Sequence, residues 1–212
     1  MTSRLILREL RRGLQGSAWL PVAFFLLVAT IVPFAVGPDA RLLARIGGGA
    51  LWIAALTAAM LPVERLVEPD RADGFLDQLA LGGSTEEAIG AAKILGHWLA
   101  FGPLLLVAAV PASFLVGLGG GDLVRALVSL AVGTPALAAI AVSVAALTAG
   151  LPRAGALAGL LMMPLAVPLV IFGAAATGDG ESSALKLEAA VALLLVAGSP
   201  FVTGAAIRSS RT

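Results

Sequence analysis

Side chains able to carry out chemistry are few in this sequence, and most of them lie in one polar stretch. The segment 63–93 holds more than half of the acidic residues: Glu64, Glu68, Asp70, Asp73, Asp77, Glu86 and Glu87. A single histidine, His97, follows it closely. One histidine and no cysteine exclude multi-histidine and thiolate metal sites, disulfides and thiol chemistry. Apolar segments flank the stretch on both sides, so we expect a polar loop of a membrane protein that contacts a soluble partner.

The composition is typical of a protein with several membrane spans. Of the 212 residues, 59% are hydrophobic and 13% charged, and the mean hydropathy is +1.00. Soluble domains average about 45–50% apolar and about 25% charged residues. The net charge of +1 is too balanced to indicate a nucleic-acid partner.

Apolar runs predict six spanning helices, each near the length that a hydrocarbon core of about 30 Å requires. They cover residues 18–36, 46–62, 94–118, 123–149, 154–177 and 185–207. Short turns at 38–39, 119–122, 150–153 and 177–181 separate neighbouring helices. These turns predict antiparallel neighbours and leave no room for a second domain, so we expect a single transmembrane domain over residues 1–212.

A basic amphipathic helix is predicted ahead of the spans, over residues 3–14. Its faces are set by two groups of side chains, basic Arg4, Arg8, Arg11 and Arg12 and apolar Leu5, Ile6, Leu10 and Leu14. Such a helix can lie in the headgroup layer; a signal-peptide n-region is the alternative. Ten of the fourteen Lys and Arg residues lie on the side of the N-terminus, which predicts cytoplasmic termini and a cytoplasmic polar loop.

By these boundaries no ionisable residue lies deep in a span, apart from Arg125 near one end of the fourth. Buried charges in spans usually mark ion or proton paths. Their absence argues against a proton-coupled transporter and against a charge-lined channel.

The polar loop itself predicts a short helix. We expect Asp73 to be its N-cap, with Phe75, Leu76, Leu79 and Ala80 on one apolar face and Gly82-Gly83 at its end. Ser84 and Glu87 then form a capping box that starts a helix running into the third span. The apolar face is buried either in the membrane interface or in a groove on a partner. A solvated loop with an incidental amphipathic turn is the alternative.

These residues carry a resemblance. The series Asp70, Asp73-Gly74, Leu76, Gln78-Leu79, Lys93 and His97-Trp98 resembles a stretch of the CcmB family, the permease subunit of the haem exporter of bacterial cytochrome c maturation. Further matching features follow in the same order along the chain: Pro33-Phe34-Ala35, Gly37-Pro38, Leu51-Trp52, Gly133-Thr134-Pro135, Pro164, Pro168, Phe172-Gly173 and Ser199-Pro200-Phe201. The ordered series covers essentially the whole chain.

The resemblance implies an all-α integral membrane domain of the type 2 ABC-exporter class, with six spanning helices and an interfacial N-terminal helix in a bacterial inner membrane. The 70–80 segment would be the coupling helix that docks on the ATPase subunit, within the cytoplasmic loop 63–93. The implied contact residues are Asp70, Asp73, Gly74, Phe75, Leu76, Gln78 and Leu79.

The implied partners are an ATPase subunit, CcmA, together with CcmC, CcmD, the haem chaperone CcmE and a second copy of this chain. No G-x-x-x-x-G-K-[ST] run occurs in the sequence, so the chain is expected to be non-enzymatic and ATP to be hydrolysed on a separate polypeptide. Haem is the implied cargo, and no bound cofactor or metal is expected on this chain.

Candidate site residues within the spans each have two interpretations. His97 suits haem iron as a ligand, but beside Trp98 it fits better as an anchor at headgroup level. Pro164 and Pro168 predict a bent or broken helix, which serves either as a pathway element or as a packing kink. Thr134 with Pro135 has the same two interpretations, and packing is favoured there.

Two functions from different classes stay open. The chain either conducts haem across the membrane as a permease, or it is a scaffold that transmits ATP-driven motion to a haem-handling partner without moving substrate itself. The scaffold is slightly favoured because the spans show no polar lining. A permease for another lipid-like substrate is a third possibility.

Overall fold

The structure is a computed structural model that describes residues 2–16, 19–178 and 182–210. Every regular element in these residues is a helix, which confirms the all-α prediction. The elements are α1 (Thr2–Gly16), α2 (Trp19–Val36), α3 (Ala40–Met60), a 3₁₀ turn (Val63–Arg65), α4 (Glu68–Ala72), α5 (Phe75–Leu81), α6 (Glu86–Leu115), α7 (Gly121–Thr148), α8 (Ala154–Ala176) and α9 (Ser182–Ser209). Ala18 of the first predicted span and residues 179–181 of the last predicted turn lie outside the described residues.

Six of these helices, namely α2, α3 and α6–α9, are long and apolar enough to cross a membrane, which agrees with the six predicted spans. Where a side chain caps a helix, the helix begins at a different residue from the one predicted. The α3 helix begins at Ala40 rather than at 46, because the Asp39 carboxylate accepts hydrogen bonds from the backbone N–H groups of Arg41 (3.1 Å) and Leu42 (3.0 Å).

Two predicted caps in the polar loop are wrong. Asp73 closes α4 instead of starting α5, and the residue before α5 is Gly74, whose φ of 69° lies in the left-handed region that favours glycine. The cap of α6 is Thr85 rather than Ser84: its hydroxyl accepts a hydrogen bond from the N–H of Ala88 (3.3 Å). The loop therefore contains two short helices, α4 and α5, with a glycine corner between them.

The α7 helix forms the centre of the bundle. It is the most buried of the candidate spans and packs against α3, α6, α8 and α9. Its second half is rich in buried small side chains, which let neighbouring helices approach closely. These residues are Ala136, Ala138, Ala139, Ala141, Ala145 and Ala146.

One large side chain, Trp52 of α3, is wedged into the middle of this bundle and is fully buried. Its ring lies against Gly133 of α7 and Gly173 of α8. A Cβ atom at Gly133 would come within 2.1 Å of the ring, and one at Gly173 within 2.2 Å. Only glycine fits at either position while Trp52 stays in place, so three helices meet at one indole ring.

We therefore expect Gly133→Ala to destabilise the bundle, because the added methyl group overlaps the Trp52 ring. Overpacking of this kind costs about 1–3 kcal/mol. The matched control is Gly198→Ala on α9, where no atom lies within 4 Å of the added Cβ. Thermal unfolding in detergent, followed by circular dichroism, should show a lower midpoint for Gly133→Ala only. Equal midpoints in the two variants would contradict the wedge.

Candidate functional site beneath the polar loop

Asp70, on α4, is the centre of a buried ion cluster. Only 1% of its side chain is exposed, yet it pairs with three cations from two distant elements. Arg8 (2.9 Å) and Arg12 (2.6 Å) reach it from α1, and Lys93 reaches it from α6. Lys93 is equally buried and also donates to the carbonyl of Leu66 (2.9 Å). One carboxylate thus joins the N-terminal helix, the polar loop and the third span.

The electrostatics of Asp70 follow from this geometry. The residue lies past Met60, the end of α3, and so outside the spanning helices. Burial alone would raise the pKa of its carboxyl, but the hydrogen bond from Arg8 and the charge of Lys93 outweigh burial and lower the pKa to about 2. Because the folded-state pKa is depressed, the ion pairs stabilise the fold above the usual carboxyl range and lose this effect only as the pH falls toward 2.

Close packing of α1 on α6 makes the cluster possible. A Cβ atom at Gly96 of α6 would lie 2.4 Å from Cβ of Glu9, and one at Gly13 of α1 would lie 2.6 Å from Cβ of Ala100. The absent side chains let the two helices approach, and the Glu9 carboxylate comes within 3.5 Å of the Lys93 ammonium. The two glycines thus set the distance between α1 and α6 and bring the charged side chains of α1 close to Asp70 and Lys93.

The basic face of α1 consequently differs from the sequence prediction. Arg4 and Arg11 are exposed, as expected for a helix in the headgroup layer. Arg8 and Arg12 instead turn toward the protein, and the Arg8 guanidinium also lies 3.7 Å above the centre of the Phe75 ring. This cation–π contact attaches α1 directly to the start of α5.

The α5 helix is packed on one face and exposed on the other. Leu76 (2% exposed) and Leu79 (9%) belong to the hydrophobic core of the chain itself. The other face carries Asp73 at the corner before α5, then Asp77, Gln78 and Leu81 on the helix; all four are exposed, and Leu81 is 90% exposed. We call these four residues the outer face of α5. The residue set predicted for coupling is therefore divided: Asp70, Leu76 and Leu79 hold the loop in place, whereas Asp73 and Gln78 face outward.

A second anchor holds the opposite side of α4. Glu68 accepts two hydrogen bonds from Arg71 (3.0 and 2.7 Å) and one from the backbone N–H of Gly150 (2.6 Å), in the turn between α7 and α8. The hydrogen bond from Arg71 lowers the pKa of Glu68. The polar loop is thus tied to α1 and α6 on one side and to the α7–α8 turn on the other.

His97 lies inside the protein rather than on its surface, where an anchor residue would contact lipid headgroups, so its burial does not fit the anchor interpretation. Only 8% of it is exposed, its ring stacks on Phe101 with centroids 5.3 Å apart, and its Nε2 atom has no hydrogen-bond partner within the described residues. It lines a cavity of about 230 Å³ together with Arg12, Arg65 and Lys93. Pockets for drug-sized ligands measure about 300–1,000 Å³, so this cavity is small for a macrocycle.

The predicted gate residues fall into two groups. Thr134 is fully buried in α7 and accepts a hydrogen bond from the Trp98 indole (3.3 Å), with Pro135 beside it. The α8 helix runs without a break through Pro164 and Pro168, and both prolines are exposed on its outward face. The sequence predicted a bent or broken helix here, and α8 is not broken at these prolines. Both prolines lie on the surface of the single chain, where they face lipid or another subunit.

Sequence reasoning missed one functional candidate, Glu188 on α9. This carboxylate is fully buried and accepts a hydrogen bond from Ser129 of α7 (2.8 Å), beside Gly133 and Trp52. The prediction that no ionisable residue other than Arg125 lies deep in a span is therefore wrong. Glu188 lies inside the predicted span 185–207, but near its first residue. A charged side chain at that position usually lies at the membrane boundary.

The prediction of spans without polar lining is also wrong. The bundle interior contains a series of buried hydroxyl and carboxyl groups: Ser113, Ser129, Thr134, Ser143, Thr148, Glu188, Ser199 and Thr203. Two of them, Ser143 and Thr203, bond to each other between α7 and α9 (3.1 Å). Three motifs that lie far apart in the sequence, at Trp52, Gly133 and Gly173, converge on Glu188 and Ser129.

The fold and this site define a helical multi-pass membrane protein whose polar loop is fixed by a buried ion cluster. The family model described as CcmB protein matches residues 1–210, and the chain belongs to that family.

Similar proteins include heme exporter protein B of Rhodobacter capsulatus, with 42% identity over 96% of this chain and 97% of the relative. Heme exporter protein B of Bradyrhizobium diazoefficiens is 38% identical over 97% of this chain and 96% of the relative. The Escherichia coli K12 protein of the same name is 39% identical over 98% and 97%.

Replacing Asp70 with Asn should destabilise the protein, because it leaves the buried Lys93 ammonium without its main counter-charge. Breaking a buried ion pair costs about 3 kcal/mol. The matched control is Glu87→Gln, which removes the exposed pair with Arg208 and should cost less than about 1 kcal/mol. Thermal unfolding in detergent measures both. A loss for Asp70→Asn no larger than for the control would show that the cluster does not hold the loop.

Proposed function

We propose that this chain is the membrane subunit of an ABC transporter complex that exports or delivers haem for cytochrome c maturation. Membership of the CcmB family and the names of the similar proteins support haem as the cargo. In this proposal the chain is a single type 2 exporter domain in a bacterial inner membrane, with cytoplasmic termini. It is not itself an enzyme, and a separate ATPase subunit, CcmA, hydrolyses ATP.

The observation that carries the coupling role is the packing of α5. Its outer face is exposed while Leu76, Leu79 and Phe75 fix it to the body of the protein. A partner that pushes on Leu81 or Gln78 moves a helix that the Arg8–Phe75 contact attaches to α1. Asp70 ties the adjoining α4 to α1 and α6. Through Glu68 the same motion reaches the turn between α7 and α8. ATP-driven closure of two ATPase subunits would thus rearrange the spans.

The central position of α7 bears on how haem moves. This helix is enclosed by α3, α6, α8 and α9, and the cavity beside His97 measures only about 230 Å³. A haem path along the outward faces, between two copies or against CcmC, fits this packing better than a path through one bundle. The same packing favours, as a second candidate, a scaffold whose ATP-driven motion rearranges CcmC and releases haem-loaded CcmE, with CcmD as a further member of the system. The third possibility is another lipid-like cargo.

The outer face of α5 gives the sharpest test of coupling. We expect Leu81→Asp to reduce ATP turnover by the reconstituted complex severalfold, because an acid replaces the most exposed apolar side chain of the proposed docking face. Its control is Leu151→Asp, an exposed leucine in the α7–α8 turn at the same end of the bundle. Both variants should retain the wild-type unfolding temperature, since neither residue is buried. Unchanged turnover in Leu81→Asp would rule out docking at this face.

Haem transport distinguishes the two candidate functions. Sealed vesicles that contain the purified complex, with haem outside and ATP added on the ATPase side, are assayed for haem in the lumen. ATP-dependent haem uptake that Leu81→Asp abolishes identifies a permease. ATP turnover that releases loaded CcmE without haem uptake identifies the scaffold. ATP turnover that rises when haem is added would support haem as the cargo in either case.

A further inference from the structure

If Glu188 is ionised, the hydrogen-bonding groups around it have one proton too few to give every acceptor a donor. Three groups meet at the Ser129 hydroxyl oxygen: the Trp52 indole N–H (2.9 Å), the carbonyl oxygen of Gly173 (3.0 Å) and Oε2 of Glu188 (2.8 Å). The indole can only donate, so it occupies one lone pair of the hydroxyl. The two oxygens then compete for the single hydroxyl hydrogen of Ser129.

The carbonyl oxygen of Gly173 depends on that hydrogen of Ser129 for a hydrogen bond. It lies in the last turn of α8, whose final four carbonyl groups have no partner within the helix. Thr177 donates its N–H to Ala174 and Gly178 to Ala175, so neither serves Gly173. Gly173 is buried, and a buried carbonyl without a donor costs about 1–3 kcal/mol. Ser129 is the donor that satisfies it.

An ionised Glu188 would then have no donor at either oxygen. Its Oε1 atom lies against Gly133, where a Cβ would come within 2.9 Å, and it has no hydrogen-bond partner among the described residues. Burying a bare carboxylate is one of the most costly events in a membrane-spanning helix. A proton on Oε2 removes the conflict, because the acid then donates to the second lone pair of Ser129 while Ser129 donates to Gly173.

No charged side chain replaces that proton. The charged residues on the helices packed around this region are Arg41 and Arg45 on α3, Glu86, Glu87 and Lys93 on α6, Asp122 and Arg125 on α7, and Lys186, Glu188 and Arg208 on α9, while α8 carries none. The α6 charges lie in its first turns, at the opposite end of the bundle. None of these residues forms an ion pair with Glu188 in the described part of the chain.

We propose that Glu188 is a proton-binding site, occupied in this conformation, whose proton completes the hydrogen-bond chain Trp52–Ser129–Gly173. The chain joins α3, α7, α8 and α9 in the half of the bundle remote from the polar loop. Loss of the proton to solvent leaves either Gly173 or the carboxylate without a donor. The contact between α7 and α8 therefore weakens, and the packing of these four helices depends on acidity in that half of the bundle.

Infrared spectroscopy of the full chain in lipid nanodiscs tests the proposal directly. At neutral pH the wild type should show the carbonyl stretch of a protonated carboxylic acid, shifted in D₂O and lost in Glu188→Gln. The control Glu64→Gln removes an exposed carboxylate and should leave the band unchanged. Absence of the band in the wild type, or its persistence in Glu188→Gln, would overturn the proposal.

Two further measurements keep the test decisive if Glu188→Gln does not fold. Wild-type protein with ¹³C-labelled glutamate carboxyl groups should show the band at lower frequency, whereas ¹³C-aspartate should leave it in place. Raising the pH until the band disappears should also lower the unfolding temperature of the wild type. A folded Glu188→Gln variant should not show this fall in unfolding temperature at raised pH, because the amide N–H₂ still donates to Ser129. A band that shifts with aspartate labelling would refute the assignment.

Discussion

The position of the polar loop depends on one buried carboxylate. Asp70 holds Arg8 and Arg12 of α1 and Lys93 of α6, and both members of its pair with Lys93 are almost inaccessible to water. A buried ion pair contributes little net stability compared with an apolar pair, but it is costly to leave half-made. The cluster therefore permits few arrangements of α1, α4 and α6. Specific geometry, more than stability, is what these charges supply.

That geometry explains why one face of α5 is buried in the chain and the other is exposed. The apolar residues Leu76 and Leu79 pack within the chain itself, so the face left for the proposed ATPase partner is the outer face of α5, from Asp73 to Leu81. A stiff attachment transmits displacement, whereas a solvated loop would absorb it. In the other half of the bundle, Trp52, Ser129 and Glu188 form a second polar contact between helices. The Asp70 cluster holds α1, α4 and α6, whereas this second contact joins α3, α7, α8 and α9.

Local patterns in the sequence predicted much of this fold, and long-range partners did not follow from them. Six spans and a helix at 75–81 are visible because hydrophobic runs and glycine stops are local signals. The caps predicted at Asp73 and Ser84 are wrong because the residue one position further on precedes each helix: Gly74 with left-handed backbone angles and Thr85 with the extended angles of an N-cap. Asp70 was selected for its motif, but its burial depends on α1, far away in the chain. Glu188 resembled a helix-end charge, and only the convergence of Trp52, Gly133 and Gly173 reveals its environment.

The most direct test of the account is the distance between α1 and α5 in solution. The sequence contains no cysteine, so spin labels can be placed at Leu14→Cys and Leu81→Cys, both exposed positions, without further substitutions. Pulsed electron paramagnetic resonance should give one narrow distance distribution in the parent protein and in Glu87→Gln. Addition of Asp70→Asn should broaden it, because the loop loses its attachment to α1. An unchanged narrow distribution in Asp70→Asn would contradict the claim that this carboxylate positions the loop.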